Sequence, residues 1–297
     1  MKQTMCIAYF SGTGGTKRIA FQFNDYFLKL GYNVLIHSLD TKYKRNNASE
    51  LAAKWNEYSC LMLLYSVHEM DAPKPVFEWI NELPMGDGRS IAIFSISGGG
   101  EVWPNTSSRV NCINELEKKG YNVFYERMMV MPSNVFMYTN DHAAMWLLKI
   151  LPSKIEKYGK EIVLQKKCRN QIRKKSKAFS TRSNAYERYL LKYSKRFYIT
   201  DTCCKCKWCI QNCSRENIKE TNGKIVFGRD CVLCLRCIYG CPTHAIRNKS
   251  TFGLLKNGYN LDRLEMKMND VDLDPIEKCC KGILWCGIKK YLIDNDA

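Results

Sequence analysis

Short apolar runs alternate with amphipathic segments over the first half of the chain. The apolar runs have the length of buried strands, and the segments between them have the 3.6-residue period of helices. The predicted strands are Met5–Phe10, Asn33–His37, Cys60–Tyr65, Ser90–Ile96 and Asn122–Val130. The predicted helices are Gly15–Leu30, Ser49–Asn56, Lys74–Glu82, Thr106–Lys119 and one that begins at Asp141. This alternation predicts an α/β fold, a doubly wound parallel sheet with helices on both faces.

A glycine-rich loop follows the first predicted strand and runs directly into a helix. Its glycines let backbone N–H groups turn inward, its hydroxyls add donors, and a helix N-terminus attracts negative charge. The loop lacks the Gly-Lys-Ser/Thr of a nucleoside-triphosphate site, and Lys17 stands where a dinucleotide fingerprint has its third glycine. It therefore suits a phosphate group, with a purely structural turn as the alternative. The residues of this phosphate loop are Ser11, Gly12, Thr13, Gly14, Gly15 and Thr16.

The stretch Tyr9-Phe-Ser-Gly-Thr-Gly-Gly-Thr16 resembles the flavin mononucleotide (FMN) phosphate loop of flavodoxins, with Gly15 where asparagine often stands. The resemblance covers about half the chain. It implies that FMN binds here through its phosphate, and that the loops after the third and fourth strands enclose the flavin ring. Packing without ligand contact is the alternative for the two aromatic side chains in these loops. The ring-binding residues that the resemblance implies are His68, Ser97, Gly98, Gly99 and Trp103.

The second half contains one cysteine pattern twice, and each cysteine of the first copy recurs 28 residues later. The copies are Cys203-x2-Cys206-x2-Cys209-x3-Cys213 and Cys231-x2-Cys234-x2-Cys237-x3-Cys241-Pro242. Such a duplication predicts two equivalent metal sites. Cys204 is not predicted as a ligand, because Val232 occupies its counterpart position. Zinc is the alternative metal, but a zinc site takes two cysteine pairs and has no use for the additional third and fourth cysteines.

This spacing resembles that of bacterial two-cluster ferredoxins, in which the fourth cysteine of each run binds the other cluster. The resemblance implies a small α+β ferredoxin domain with two [4Fe–4S] clusters. One cluster would take Cys203, Cys206, Cys209 and Cys241, and the other Cys231, Cys234, Cys237 and Cys213. Ser214 replaces the usual proline in the first copy.

Together the two halves resemble fused flavodoxin–ferredoxin electron carriers. The predicted organisation is a flavodoxin-like FMN-binding domain at 1–150, a basic helical connector at 151–197, a ferredoxin domain at 198–248 and a C-terminal extension at 249–297. The resemblance implies an electron-transfer protein that relays electrons between the clusters and a flavin. The alternative is a flavin oxidoreductase that reduces a small molecule at FMN and takes electrons from the clusters. The four histidines lie in separate segments and no catalytic residue is predicted.

Cysteine usage and charge indicate the compartment and the partners. Sixteen cysteines in a chain without a recognisable export segment favour metal ligation in a reducing cytoplasm. The net charge is +17, and residues 154–196 carry fifteen Lys or Arg and three Glu, a net charge of +12. Besides a solvated helical face, this charge suits redox proteins with an acidic docking surface or an anionic membrane surface. Nucleic acid is unlikely as a partner because no nucleic-acid-binding motif accompanies the charge. Docking is expected beside Arg173, Lys174, Lys175 and Arg188.

Overall fold

The structure is a computed structural model of the 297-residue chain. It describes residues 3–42, 58–68, 70–135, 138–170, 176, 178, 180, 193–249 and 259–294. The predicted helix Ser49–Asn56 and the expected docking residues Arg173, Lys174, Lys175 and Arg188 lie outside the described residues.

Five parallel strands form one sheet in the described part of the first half. Their order is β2-β1-β3-β4-β5, which is the strand order of the flavodoxin-like doubly wound fold. The fold class predicted for this half is therefore confirmed, and each strand lies within two residues of its predicted ends. The strands are β1 (Thr4–Phe10), β2 (Asn33–Ser38), β3 (Tyr58–Ser66), β4 (Ser90–Ser97) and β5 (Asn122–Val130).

Helices cover both faces of this sheet and enclose two apolar cores. Helices α1 (Gly15–Lys29) and α4 (Asp141–Val163) pack on one face, and α2 (Lys74–Glu82) and α3 (Val110–Lys118) pack on the other. Helix α3 begins later than predicted because residues 105–107 form a separate 3₁₀ turn. Helix α4 continues across residue 150, and the domain boundary placed there stays a prediction.

Burial explains why the strand sequences are continuous apolar runs. Every residue of β1 is buried, as expected for a parallel strand with helices on both sides. The edge strand β2 is half-exposed. At the opposite edge, Cys168 pairs with β5: its N–H donates to the Phe124 carbonyl at 3.0 Å, and the Glu126 N–H donates to the Cys168 carbonyl at 2.8 Å. This added segment protects the β5 edge from pairing with another chain.

The cysteine-rich half contains two short antiparallel strand pairs and two short helices. Strand β6 (Phe197–Ile199) pairs with β9 (Ile246–Asn248), and β7 (Ile218–Thr221) pairs with β8 (Lys224–Phe227). The helices are α5 (Trp208–Gln211) and α6 (Arg236–Tyr239). The C-terminal segment then returns to the first half, where α7 (Leu261–Met268), α8 (Ile276–Cys279) and α9 (Cys286–Ile293) all contact α4. No helix among the described residues is long and apolar enough to cross a bilayer.

A buried cation fixes the carboxyl end of β4 to its neighbours. The Arg109 side chain is 2% exposed and donates to Glu126 at 2.8 Å, to Glu101 at 2.6 Å and to the Ser95 hydroxyl at 2.8 Å. These bonds join β4, β5 and the loop that follows β4. Because the charges are withdrawn from water, removing one partner leaves the others poorly compensated.

We expect Arg109→Met to lower the free energy of unfolding by about 3 kcal/mol, because Glu126 loses its buried partner. The measurement is chemical denaturation followed by circular dichroism. Arg169→Met is the matched control, since Arg169 also contacts Glu126, at 3.3 Å, but is partly exposed. It should cost less than about 1 kcal/mol. Equal losses in the two variants would contradict the role given to burial.

Candidate functional site

The candidate binding loops lie together at the carboxyl edge of the parallel sheet. The phosphate loop follows β1, residues 67–72 follow β3, and residues 98–105 follow β4. In doubly wound sheets ligands bind at this edge, where the strand order reverses. Strand β1 occupies the point of reversal, because its neighbours β2 and β3 extend the sheet in opposite directions.

The phosphate loop has the backbone of an anion site. Gly14 has φ of 101°, a left-handed conformation that suits glycine, and it turns the chain into α1. The Gly14 N–H donates to the Ser11 hydroxyl at 3.1 Å. The next three amides, of Gly15, Thr16 and Lys17, begin the helix and have no acceptor within it. The helix dipole adds partial positive charge at the same place.

The two threonines of the loop differ. The Thr16 side chain is buried, and among the described residues its hydroxyl has no hydrogen-bond partner. An unbonded buried hydroxyl costs about 1–3 kcal/mol, which a ligand oxygen that accepts its proton would recover. The Thr13 hydroxyl instead accepts a hydrogen bond from the Asn134 amide at 2.5 Å. The residues of the loop therefore fit a phosphate, with Thr16 as the side-chain donor.

His68 reaches from the loop after β3 to the cysteine-rich half. Its Nδ1 lies 2.7 Å from the Val232 carbonyl, so Nδ1 carries a proton and donates it. Its Nε2 lies 3.0 Å from the Ser66 hydroxyl and accepts from it. Desolvation by burial lowers the pKa of His68 to about 4, although the bond to Val232 opposes the shift. The ring is therefore neutral at neutral pH, and its two nitrogens are both bonded within the protein.

The glycine run after β4 is packed against other segments of this chain. A Cβ at Gly98 would clash with the Ser133 side chain, and one at Gly100 would lie 2.6 Å from the backbone of Gly287 in α9. The Ser97 hydroxyl accepts from the Gly99 N–H at 3.0 Å. Close backbone approach is thus used for protein packing at these positions.

The Trp103 side chain is 58% exposed and lies in the same loop. The assignment of Ser97, Gly98, Gly99, Trp103 and His68 to the flavin ring stays a prediction.

The eight cysteines of the repeat fall into two groups of neighbours. Cys203, Cys206, Cys209 and Cys241 line one cavity. In the other group, burial raises the pKa of Cys237, and the nearby Cys234, Cys231 and Cys213 raise it further, as does Cys209 of the first group. Each group combines three cysteines of one copy with the fourth cysteine of the other. Within the described residues, no three potential ligands surround one point closely enough to hold a single metal ion.

The 28-residue repeat extends to the backbone. Lys205, Lys207 and Glu216 have φ between 52° and 58°, and their counterparts Leu233, Leu235 and His244 have φ between 47° and 59°. Residues other than glycine rarely adopt such values. No glycine stands at these positions, so their left-handed conformation could not be predicted from the sequence.

The fourth cysteines of the two copies accept the same backbone hydrogen bond. The Asn217 N–H donates to Cys213 Sγ at 3.3 Å, and the Ala245 N–H donates to Cys241 Sγ at 3.3 Å. Hydrogen bonds to sulfur stabilise a thiolate, which is the form that binds metal.

The phosphate loop and the second cysteine run are in direct contact. A Cβ on Gly12 would clash with the Cys234 carbonyl oxygen, so the two backbones touch at this glycine. The Arg236 guanidinium donates to the carbonyls of Ser11, Gly12 and Asp40, at 3.2 Å for Gly12 and 2.9 Å for Asp40. It also pairs with the Asp40 carboxylate at 3.0 Å. Neither Arg236 nor Asp40 was predicted, because Arg236 stands at a variable position of the cysteine motif and Asp40 belongs to no motif.

We expect Thr16→Val to lower FMN affinity about tenfold, since a hydrogen bond to a charged group contributes roughly 1.5–3 kcal/mol. The measurement is a fluorescence titration of the flavin-free protein. Stability without flavin should be unchanged or higher, because the variant removes an unbonded buried hydroxyl. Thr4→Val, at the other end of β1, is the matched control and should leave the affinity unchanged. Unaltered FMN binding by Thr16→Val would contradict the site.

Comparison with known proteins gives structural similarity only. No family model and no curated protein matches the chain. Among solved structures, oxidised flavodoxin 2 from Bacillus cereus is similar at 15% identity and a TM-score of 0.40, covering 55% of this chain and 99% of that one. A flavodoxin from the domain Archaea is similar at 16% identity and a TM-score of 0.34, covering 53% and 99%. An FMN-dependent NADH-azoreductase from Bacillus anthracis is similar at 12% identity and a TM-score of 0.39, covering 55% and 99%.

Proposed function

We propose that the chain is an electron-transfer protein that relays electrons between two [4Fe–4S] clusters and FMN. The observation that carries this proposal is the contact between Gly12 and Cys234. It joins the loop that fits the flavin phosphate to a residue of the second cysteine run. Two redox groups held by these loops would exchange electrons within one chain, without a diffusional encounter.

The arrangement of the cysteines supports two four-iron clusters. Each group supplies four sulfurs, and each thiolate of such a cluster binds a different iron, so the ligands lie farther apart than those around a single ion. When bound, the clusters supply one-electron oxidation and reduction, whereas a flavin exchanges one or two electrons. The chain's own contribution is to hold the ligands, donate N–H bonds to Cys213 and Cys241, and fix the distance between the two binding regions.

The two cysteine groups differ in access to solvent and to the flavin loop. In the second group, Cys234 contacts the phosphate loop, and its neighbour Val232 accepts the His68 bond. In the first group, Cys206 is exposed and stands between the exposed Lys205 and Lys207. We therefore assign the first group to exchange with an external redox protein and the second group to exchange with the flavin. Lys205 suits an acidic docking surface on that protein, whereas Lys207 already pairs with Glu220 of this chain at 2.7 Å.

We expect anaerobically reconstituted protein to contain about eight iron and eight sulfide per chain, because two groups of four thiolates are present. Iron and sulfide assays with electron paramagnetic resonance of the reduced protein check this. A zinc-loaded chain that takes up no iron would contradict the clusters, whatever its flavin content.

We expect Gly12→Ala to slow electron exchange between clusters and flavin several-fold, because the added methyl group pushes the Cys234 backbone away from the phosphate loop. The measurement is the rate of flavin reduction after rapid reduction of the clusters. Gly15→Ala is the matched control: it lies in the same loop, and its Cβ would meet Met131 at an ordinary 3.5 Å. With iron and FMN content equal in both, unchanged exchange in Gly12→Ala would contradict the relay through this contact.

A further inference from the structure

A turn in the C-terminal segment exposes two adjacent aliphatic side chains. Gly282, with φ of 90°, directs the chain into a 3₁₀ turn that joins α8 to α9. The Ile283 side chain in this turn is 85% exposed and that of Leu284 is 62% exposed. A hydrogen bond closes this turn, in which the Trp285 N–H donates to the Gly282 carbonyl at 3.1 Å.

The turn is held in place from both sides. Cys279 and Cys280 precede it and Ile288 and Tyr291 follow it, and all four are buried in one apolar cluster. Leu147 of α4 belongs to the same cluster. Ile283 and Leu284 are therefore exposed because they lie in a turn that protrudes from a fixed position. Their exposure does not come from fraying of a helix end.

Among the described residues, no other two strongly exposed large apolar side chains are adjacent in sequence. Met266, for example, is 65% exposed and lies between Glu265 and Lys267. Isolated exposed apolar residues are normal, whereas adjacent ones on one projection indicate a surface that something else covers.

Positive charge surrounds this projection. Lys281 and Lys290 are exposed and Lys289 is half-buried, and no carboxylate of the described residues lies within 4.0 Å of their amino groups. Lys278 is different, because it pairs with Asp274 at 2.7 Å. The projection thus combines an apolar tip with cations that are not neutralised locally.

We propose that this turn docks the protein on an anionic lipid surface. Ile283 and Leu284 enter the boundary between headgroups and acyl chains, and Lys281, Lys289 and Lys290 face anionic headgroups. A specific protein interface needs about 800 Å² from each partner, far more than two side chains on a projecting turn present. Insertion into lipid needs only a protruding apolar tip with basic flanks.

The turn lies beside the longest helix of the first half. Helix α9 packs along α4, and the basic segment 154–196 begins within α4. The proposal is independent of the electron relay.

The test is co-sedimentation of the anaerobically reconstituted full chain with vesicles of phosphatidylcholine mixed with phosphatidylglycerol, and with vesicles of phosphatidylcholine alone. We expect binding to the anionic vesicles only. The double variant Ile283→Ser and Leu284→Ser should weaken this binding at least about tenfold. It removes the two aliphatic side chains that become buried in the lipid when the protein binds. Met85→Ser is the matched control, because Met85 is 58% exposed and follows α2 on the other face of the sheet, and it should bind as the unmodified chain does.

A second variant, Lys281→Glu with Lys290→Glu, separates charge from apolar insertion. It should weaken binding to the anionic vesicles while iron and flavin content stay unchanged. Failure of the unmodified chain to bind anionic vesicles would overturn the proposal and leave an acidic protein as the occupant. Equal binding by the serine variant would overturn it as well, because the basic segment alone would then account for attachment.

Discussion

Arg236 holds the two halves of this protein in register. Its guanidinium donates to two carbonyls of the phosphate loop and pairs with Asp40, while its own backbone lies between Cys234 and Cys237. Because Asp40 also accepts the Ser11 N–H at 2.8 Å, one side chain fixes both the loop and the cysteine run. A guanidinium suits this role, since its planar fork directs several N–H groups at oxygens in one plane.

The interface also determines how the phosphate loop presents its amides. The Arg236 guanidinium donates to the carbonyl oxygens of Ser11 and Gly12. The opposite side of these peptide groups, which carries their N–H groups, is therefore left for a ligand. The neutral His68 makes a second bond across the same interface, to Val232. A charged imidazolium would not be favoured there, because Arg236 lies nearby and the site is desolvated. The interface thus keeps its histidine neutral beside the Arg236 guanidinium. Other cations form salt bridges between the halves, Arg215 with Glu78 and Lys74 with Asp230 at 3.2 Å.

The sheet could be predicted from the sequence because a parallel strand that is buried on both faces consists of a continuous run of apolar residues, as in Met5–Phe10. The sequence also predicted the tight turn from β1 into α1, because glycine spacing reports backbone conformation directly, as Gly14 shows, and the binding of a phosphate there stays a prediction. It could not predict the contact between Gly12 and Cys234, since residues more than two hundred positions apart leave no local pattern. The left-handed Lys205 and Leu233 were missed for a different reason: tertiary constraints impose their conformation against local preference.

The packing of Gly287 against Gly99 and Gly100 sets an order on the assembly of the protein. During synthesis the five-stranded sheet can form as soon as residue 130 and the helix after it have left the ribosome, because domains fold as units from the N-terminus. The loop after β4, however, packs against Gly287, which is translated after the cysteine-rich half. The carboxyl edge of the sheet therefore reaches its final shape only after the cysteine-rich half has been made, so this edge matures after the sheet itself has formed.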